Sequence, residues 1–215
     1  KVYPYEDGFA KMIPEVKEMF RQMAPAFSFP LRFLLGNLWL TKPLVMAVMP
    51  MVSPFGEALM ATTCCFTMMK YLKENNLKPK YRTLFAFPYS EEIGLGGTYV
   101  PPEVSEYVAI DIGLIGPGYD GQERKVSICA KDNSTPYDYE LTNHLIALAE
   151  NNNIDHAVDI FYRYGTDANA ALKAGNNLRA AAFGMAVYCS HGMERTHLKG
   201  LENTTGLLLA YLLDR

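Results

Sequence analysis

Tyr81-Arg-Thr-Leu-Phe-Ala-Phe-Pro88 runs into Tyr89-Ser-Glu-Glu-Ile-Gly-Leu-Gly-Gly97: an apolar stretch, two adjacent carboxylates, then a glycine-rich turn. The first eight residues read as a buried strand ending at Pro88. The glycines at 94, 96 and 97 mark a sharp turn directly after it. That order sets Glu91 and Glu92 at the C-terminal lip of a sheet, where open α/β sheets place their ligands. Adjacent like charges repel, and burying both is costly unless a cation or a shared proton compensates. A metal site resolves the conflict, with one carboxylate on the ion and the other holding a proton or a water. A solvated loop with two exposed glutamates is the plainer alternative.

Outward from this stretch, strands and helices alternate. The patterning predicts strands over 106–112, 125–131, 156–162 and 180–188, and helices over 138–151, 167–174 and 198–214. Before it, residues 56–75 read as a helix that is apolar nearly all round and therefore buried. The fold class that follows is α/β, with a central sheet covered by helices. Residues 8–24 carry Phe9, Met12, Ile13, Val16, Met19, Phe20 and Met23 at helical spacing, and residues 27–55 are strongly apolar. Arg32, Asn37, Lys42, Pro43 and Pro50 interrupt that second run too often for a membrane span. It reads as short helical pieces packing on the domain or on another subunit. The division expected is an apolar helical segment over 1–55 and one larger domain over 56–215.

The bulk properties suit a single sizeable core. The chain has 215 residues, of which 49% are apolar and 20% charged. A net charge of −3 gives no basic footprint, so nucleic acid is not expected as a partner. The four cysteines include no Cys-x-x-Cys spacing and read as reduced, buried thiols, which points to a reducing, cytoplasmic setting. The first residue is Lys1 rather than Met, as in a chain processed, truncated or given without its start; no signal peptide is visible.

Several side chains could join Glu91 and Glu92. Asp111 ends the strand Val108-Ala-Ile110, as a second ligand or as a turn cap. His191, in Tyr188-Cys-Ser-His191, follows the last strand directly, a good place for a ligand. Gly165, Thr166 and Asp167 open a helix after a strand; they read as an N-cap, as a loop whose amides face substrate, or as both. His197 precedes the final helix and reads as a substrate or supporting group. His144 and His156 read as structural or solvated. No Gly-x-Ser-x-Gly elbow is present, which counts against a serine hydrolase of the α/β class.

These segments come in one order: Ser90–Gly97, Ala109–Ile112, Lys131–Pro136, Gly165–Ala168 and Tyr188–His191. Together they resemble the successive motifs of the tetrahedral aminopeptidases, also called the glutamyl or deblocking aminopeptidase family, which are co-catalytic zinc peptidases. The resemblance covers roughly residues 56–215. It implies a three-layer α/β/α sandwich with a central, mostly parallel sheet, release of N-terminal residues from peptide substrates, and assembly as a homo-oligomer. It implies one or two ions of zinc, cobalt or manganese. Glu91 then resembles the general base, Glu92 a ligand of one ion, His191 the ligand that joins Glu92, and Asp111 a ligand of the other ion.

Two features depart from the family pattern. No His precedes residue 144, whereas the family has an N-terminal His ligand. Where the family reads Ala-Leu-Asp-Asp-Arg, with the bridging aspartate, this chain reads Ala58-Leu-Met-Ala-Thr62, and Met60 and Ala61 cannot ligate. The family's β-rich insertion domain is also absent from this sequence. The expectation is a metal-dependent aminopeptidase with an impaired site. The alternative is a non-catalytic member of the fold that acts as a binding or assembly module, with 27–55 as its contact surface.

Overall fold

The computed structural model describes residues 60–88 and 91–214. The expected segment 1–55, the first turn of the helix expected over 56–75, and the two residues before Glu91 lie outside the described residues. Residues 60–74 form α1, and Glu91–Ile93 is a single 3-10 turn. Then follow β1 (Glu106–Ile110), β2 (Gly113–Leu114), β3 (Val126–Lys131), α2 (Tyr139–Asn151), β4 (His156–Ile160), α3 (Asp167–Lys173), β5 (Arg179–Val187) and α4 (Leu198–Leu213).

The sheet is mixed, in the order β1-β5-β3-β4, with β2 also alongside β5. β1 and β2 run parallel to β5, and β3 runs parallel to β4. The antiparallel pairing of β3 with β5 joins the two parallel halves. β5 is the central strand, and eight of its nine residues are buried. Its alternation serves both faces of the sheet. Ala181 and Phe183 belong to a core shared with α1, α2 and α4, whereas Ala180 and Ala182 belong to a core that includes Ala168 of α3. Helices on both faces of one sheet make the three layers expected.

Each helix has a local reason for its place. Asp138 caps α2, its Oδ1 accepting from the Leu141 amide at 2.8 Å. Leu141, Leu145, Leu148 and Ala149 then present a buried stripe at i, i+4, i+7 and i+8. α4 is buried over most of its length, and its Leu207, Leu208, Leu209, Ala210 and Leu212 join the larger core. No helix among the described residues is long and apolar enough to cross a membrane.

Two expectations are corrected. Residues 81–88, expected as a buried strand, pair with no described strand. Phe85 packs against the core, but Leu84 and Phe87 are exposed, and Phe87 stacks on Phe66 of α1 at 5.4 Å. An apolar run becomes a strand only where a neighbour takes up its backbone groups, and its pattern carries no information about that neighbour. Cys189 was expected to be buried like Cys64, Cys65 and Cys129, but it is exposed. It lies past the end of β5 with φ of 56°, where the chain has already left the sheet.

Gly184 shows how tightly β5 meets the segment after β1. A Cβ at this position would collide with the carbonyl oxygen of Asp111. Gly184→Ala is expected to lower stability by about 1–3 kcal/mol, the usual cost of overpacking. Urea unfolding checks this, and an unchanged midpoint would show that the strands separate without cost.

Candidate active site

A cleft of about 290 Å³ brings Glu91, Glu92, Asp111 and His191 together, with Gly165 and Thr166. Glu91 and Glu92 reach it from the 3-10 turn, which Gly94 closes by donating its amide to the Glu91 carbonyl at 2.7 Å. Asp111 is the first residue past β1. Its amide donates to the Phe183 carbonyl at 3.1 Å, so it is still held by β5. Its Oδ1 accepts from the Ile112 amide at 2.7 Å. His191 stands in a loop closed at its base by the Tyr188–Arg195 bridge. The loop is braced by the Gly192 amide on the Cys189 carbonyl at 2.8 Å and by the His191 amide on Glu194 Oε1 at 2.8 Å. His191 has φ of 60°, a strained conformation for a residue with a side chain.

His191 Nδ1 lies 3.7 Å from Glu92 Oε2. Two donors on one tetrahedral ion, each at about 2.0–2.2 Å, stand roughly 3.4 Å apart, so this pair is close to the spacing of two ligands sharing one ion. A third donor does not converge with them: among the described residues no group of three His, Cys, Asp or Glu side chains could hold a metal. The residues present therefore match half of a one-ion site and do not match a two-ion site. Met60 packs against the core cluster that contains Ala109 and Ile112 and supplies no donor.

The remaining sequence candidates have structural work. Asp167 is buried beneath the glycine turn and does not line the cleft. The Gly96 and Gly97 amides donate to its carboxylate. A side chain at Gly97 would strike the Asp167 carbonyl, so two glycines are needed where this turn crosses the start of α3. His197 caps α4, its Nδ1 accepting from the Lys199 amide at 2.9 Å, and it too lies outside the cleft lining. Thr166 faces the cleft while its hydroxyl hydrogen-bonds Tyr137 Oη at 2.6 Å. His144 pairs with Asp214 at 2.9 Å, and His156 stays on its own backbone, with Nδ1 3.1 Å from the Ile154 carbonyl.

Sequence reasoning did not single out Asn133, Ser134, Arg163, Asn169 and Lys173, all of which line the cleft. Asn133 and Ser134 lie within the Lys131–Pro136 motif, and helical spacing carries a signal for two of the others. Counting from Gly165 by helical steps reaches Asn169 and then Lys173, one face of α3. A second hollow of about 350 Å³, at Tyr119, Asp120, Lys125 and His156, shares no residue with this cleft.

Known proteins resemble this chain in sequence and in fold. The sequence profile of the M42 glutamyl aminopeptidase family matches residues 56–207. YhfE of Bacillus subtilis (strain 168), which carries an aminopeptidase designation, is 43% identical over 142 residues, 66% of this chain and 41% of YhfE. A TET aminopeptidase from a marine sediment archaeon of the Thaumarchaeota superposes with a TM-score of 0.59 at 16% identity, over 74% of this chain and 47% of that one, a likeness of fold. The TET1 peptidase of Pyrococcus horikoshii in its PhTET1-12s form, a dodecamer in the asymmetric unit, gives a TM-score of 0.51 at 27% identity. That match covers 58% of this chain and 39% of the other. This chain thus spans less than half the length of each of these relatives.

Burial holds the Asp167 carboxyl above its ordinary value of 3.8, against the opposing pull of the Gly97 and Gly96 amides. The folded protein therefore binds this proton more tightly than the unfolded chain does. The stability from that proton is complete below about pH 3.8 and is lost as pH rises through the folded value. Asp167→Asn cannot titrate, so its stability relative to wild type should improve as pH rises across that window. Urea midpoints of both proteins at several pH values check this, and a difference constant with pH would remove the burial argument.

Proposed function

This chain belongs to the M42 glutamyl aminopeptidase family, and we propose that its cleft is the site of a metal-dependent aminopeptidase-type hydrolase that releases N-terminal residues from peptides. The observation that carries this reading is the approach of Glu92 to His191 at 3.7 Å, in a cleft shared with Glu91 and Asp111. Glu92 and His191 would hold one ion of zinc, cobalt or manganese, with Asp111 toward a neighbouring position. A bound ion of this kind lowers the pKa of water and polarises a carbonyl. Glu91 is the general base: it takes a proton from the attacking water and returns it to the leaving amine. Gly165 and Thr166 border the substrate. Asp167 and His197 act through the turn and the helix that they hold.

The same reading includes a weakened site. Met60 and Ala61 stand where the family carries its bridging aspartate, so a second ion would lack that ligand. A homo-oligomer, as in the dodecameric relative, and a cytoplasmic setting, in keeping with the buried free thiols, complete the proposal. In it the apolar segment 1–55 supplies subunit contact, and 56–215 forms the catalytic domain.

A second reading, a peptidase fold that binds or assembles without catalysis, is favoured by the lack of a third converging donor among the described residues. Metal content and turnover separate the two. After loading with zinc or cobalt, elemental analysis should find bound metal, and a panel of amino-acid anilides should be hydrolysed slowly. Glu91→Gln should abolish that turnover and retain the metal, because the base is not a ligand. His191→Ala should lose the metal. Protein that takes up no metal and hydrolyses nothing would favour the second reading. Turnover indifferent to Glu91→Gln would remove the assigned base.

A further inference from the structure

Asn169 lines the cleft yet is only 2% exposed, and neither its Nδ2 nor its Oδ1 has a hydrogen-bond partner among the described residues. A buried amide with both ends unpaired is unusual in a folded protein and calls for an explanation. The surroundings of Asn169 supply one. Lys173 lies four residues on along α3, hence on the same face one turn later, and it lines the same cleft. Arg163, in the segment leading into α3, lines it as well. Both cations are exposed, and neither forms an ion pair among the described residues. The acidic side chains of the cleft come from other elements: Glu91 and Glu92 from the 3-10 turn, Asp111 from the end of β1.

We propose that Asn169, Lys173 and Arg163 form a carboxylate-binding subsite that selects short peptides with a free C-terminus. The proposal rests on the reading of the cleft as a peptide site. A guanidinium recognises a carboxylate through two parallel hydrogen bonds, and the ammonium of Lys173 adds a point charge. Asn169 Nδ2 donates to the same carboxylate, and Oδ1 accepts from the last peptide N–H. Both of its unpaired atoms are then used. The ligand's α-ammonium lies toward Glu91, Glu92 and Asp111, and its carboxylate toward α3, so a zwitterion matches the sign of charge at each end. A cleft of about 290 Å³ leaves little room for a longer chain between those ends.

The test compares binding of Ala-Ala, Ala-Ala-amide and Glu-Ala-amide by titration calorimetry, on metal-loaded protein. Ala-Ala should bind about tenfold or more tightly than Ala-Ala-amide, the scale expected for hydrogen bonds to a charged group. Lys173→Met should bring that ratio toward one. Asn169→Asp, which keeps the shape and adds a negative charge, should reverse it. Equal binding of acid and amide, or no measurable binding of either, would overturn the subsite. Glu-Ala-amide binding as tightly as Ala-Ala would assign the cations to an acidic side chain and overturn the C-terminal assignment. Anilides have no carboxylate, so their hydrolysis reports on the peptidase reading separately. Turnover of anilides without an acid-over-amide preference defeats the subsite alone. A preference lost in Lys173→Met, without any turnover, defeats the hydrolase alone.

Discussion

A wholly buried carboxylate, Asp132, holds the cleft in one piece. Its Oδ1 accepts from the Ser134 amide at 2.7 Å and its Oδ2 from Tyr137 Oη at 3.1 Å. Tyr137 Oη in turn meets the hydroxyl of Thr166 at 2.6 Å. One charge thereby fixes the loop after β3 and the first turn of α3. Two further bonds extend the bracing: Asn133 donates its amide to the Tyr164 carbonyl at 2.8 Å, and the Ile112 amide donates to Tyr164 Oη at 3.2 Å. Segments that leave the two parallel strands β3 and β4 are thus tied to one another and to the residues just past β1. A polar group out of contact with water is tolerated only when its atoms find hydrogen-bond partners. Loss of the Tyr137 hydroxyl would take one donor from Asp132 and the link to Thr166 together.

The negative charge of the cleft also reaches the sheet beneath it. Burial first, and then the carboxylates of Asp167 and Glu91, push the Tyr107 phenol of β1 up to about 12. Tyr107 therefore stays a neutral phenol beside two acids.

Much of this was legible in the sequence because it depends on local pattern. The periodicity of 139–151 and 198–213, the apolar run that becomes β5, and the position of Asp111 at the end of its strand can all be read from short windows. The grouping of Glu91, Glu92, Asp111 and His191 followed from the order of motifs. Two kinds of information were not local. Residues 81–88 have the composition of a strand, but strand formation depends on a partner. Asp167 and His197 have the chemistry of active-site groups, and the structure spends them on the Gly96–Gly97 turn and on the start of α4. Asn169 was the reverse case. A single Asn in a short helix says nothing until the structure shows its amide buried and unpaired.

The place of β5 at the centre of the sheet has a consequence for synthesis. β1, β2 and β3 all pair with β5, which comes after all of them in the chain. Glu106 and Arg179, ion-paired across the β1–β5 boundary, are 73 residues apart. At a ribosomal pace of about 5–20 residues per second, β1 emerges roughly 4–15 s before the strand that covers it. For that interval no described residue earlier in the chain pairs with β1, and a neighbouring nascent chain offers the same edge. The layout that gathers the cleft so compactly makes β1 and β2 dependent on a strand near the end of the chain, so that premature termination before Arg179 leaves both without the neighbour that β5 supplies.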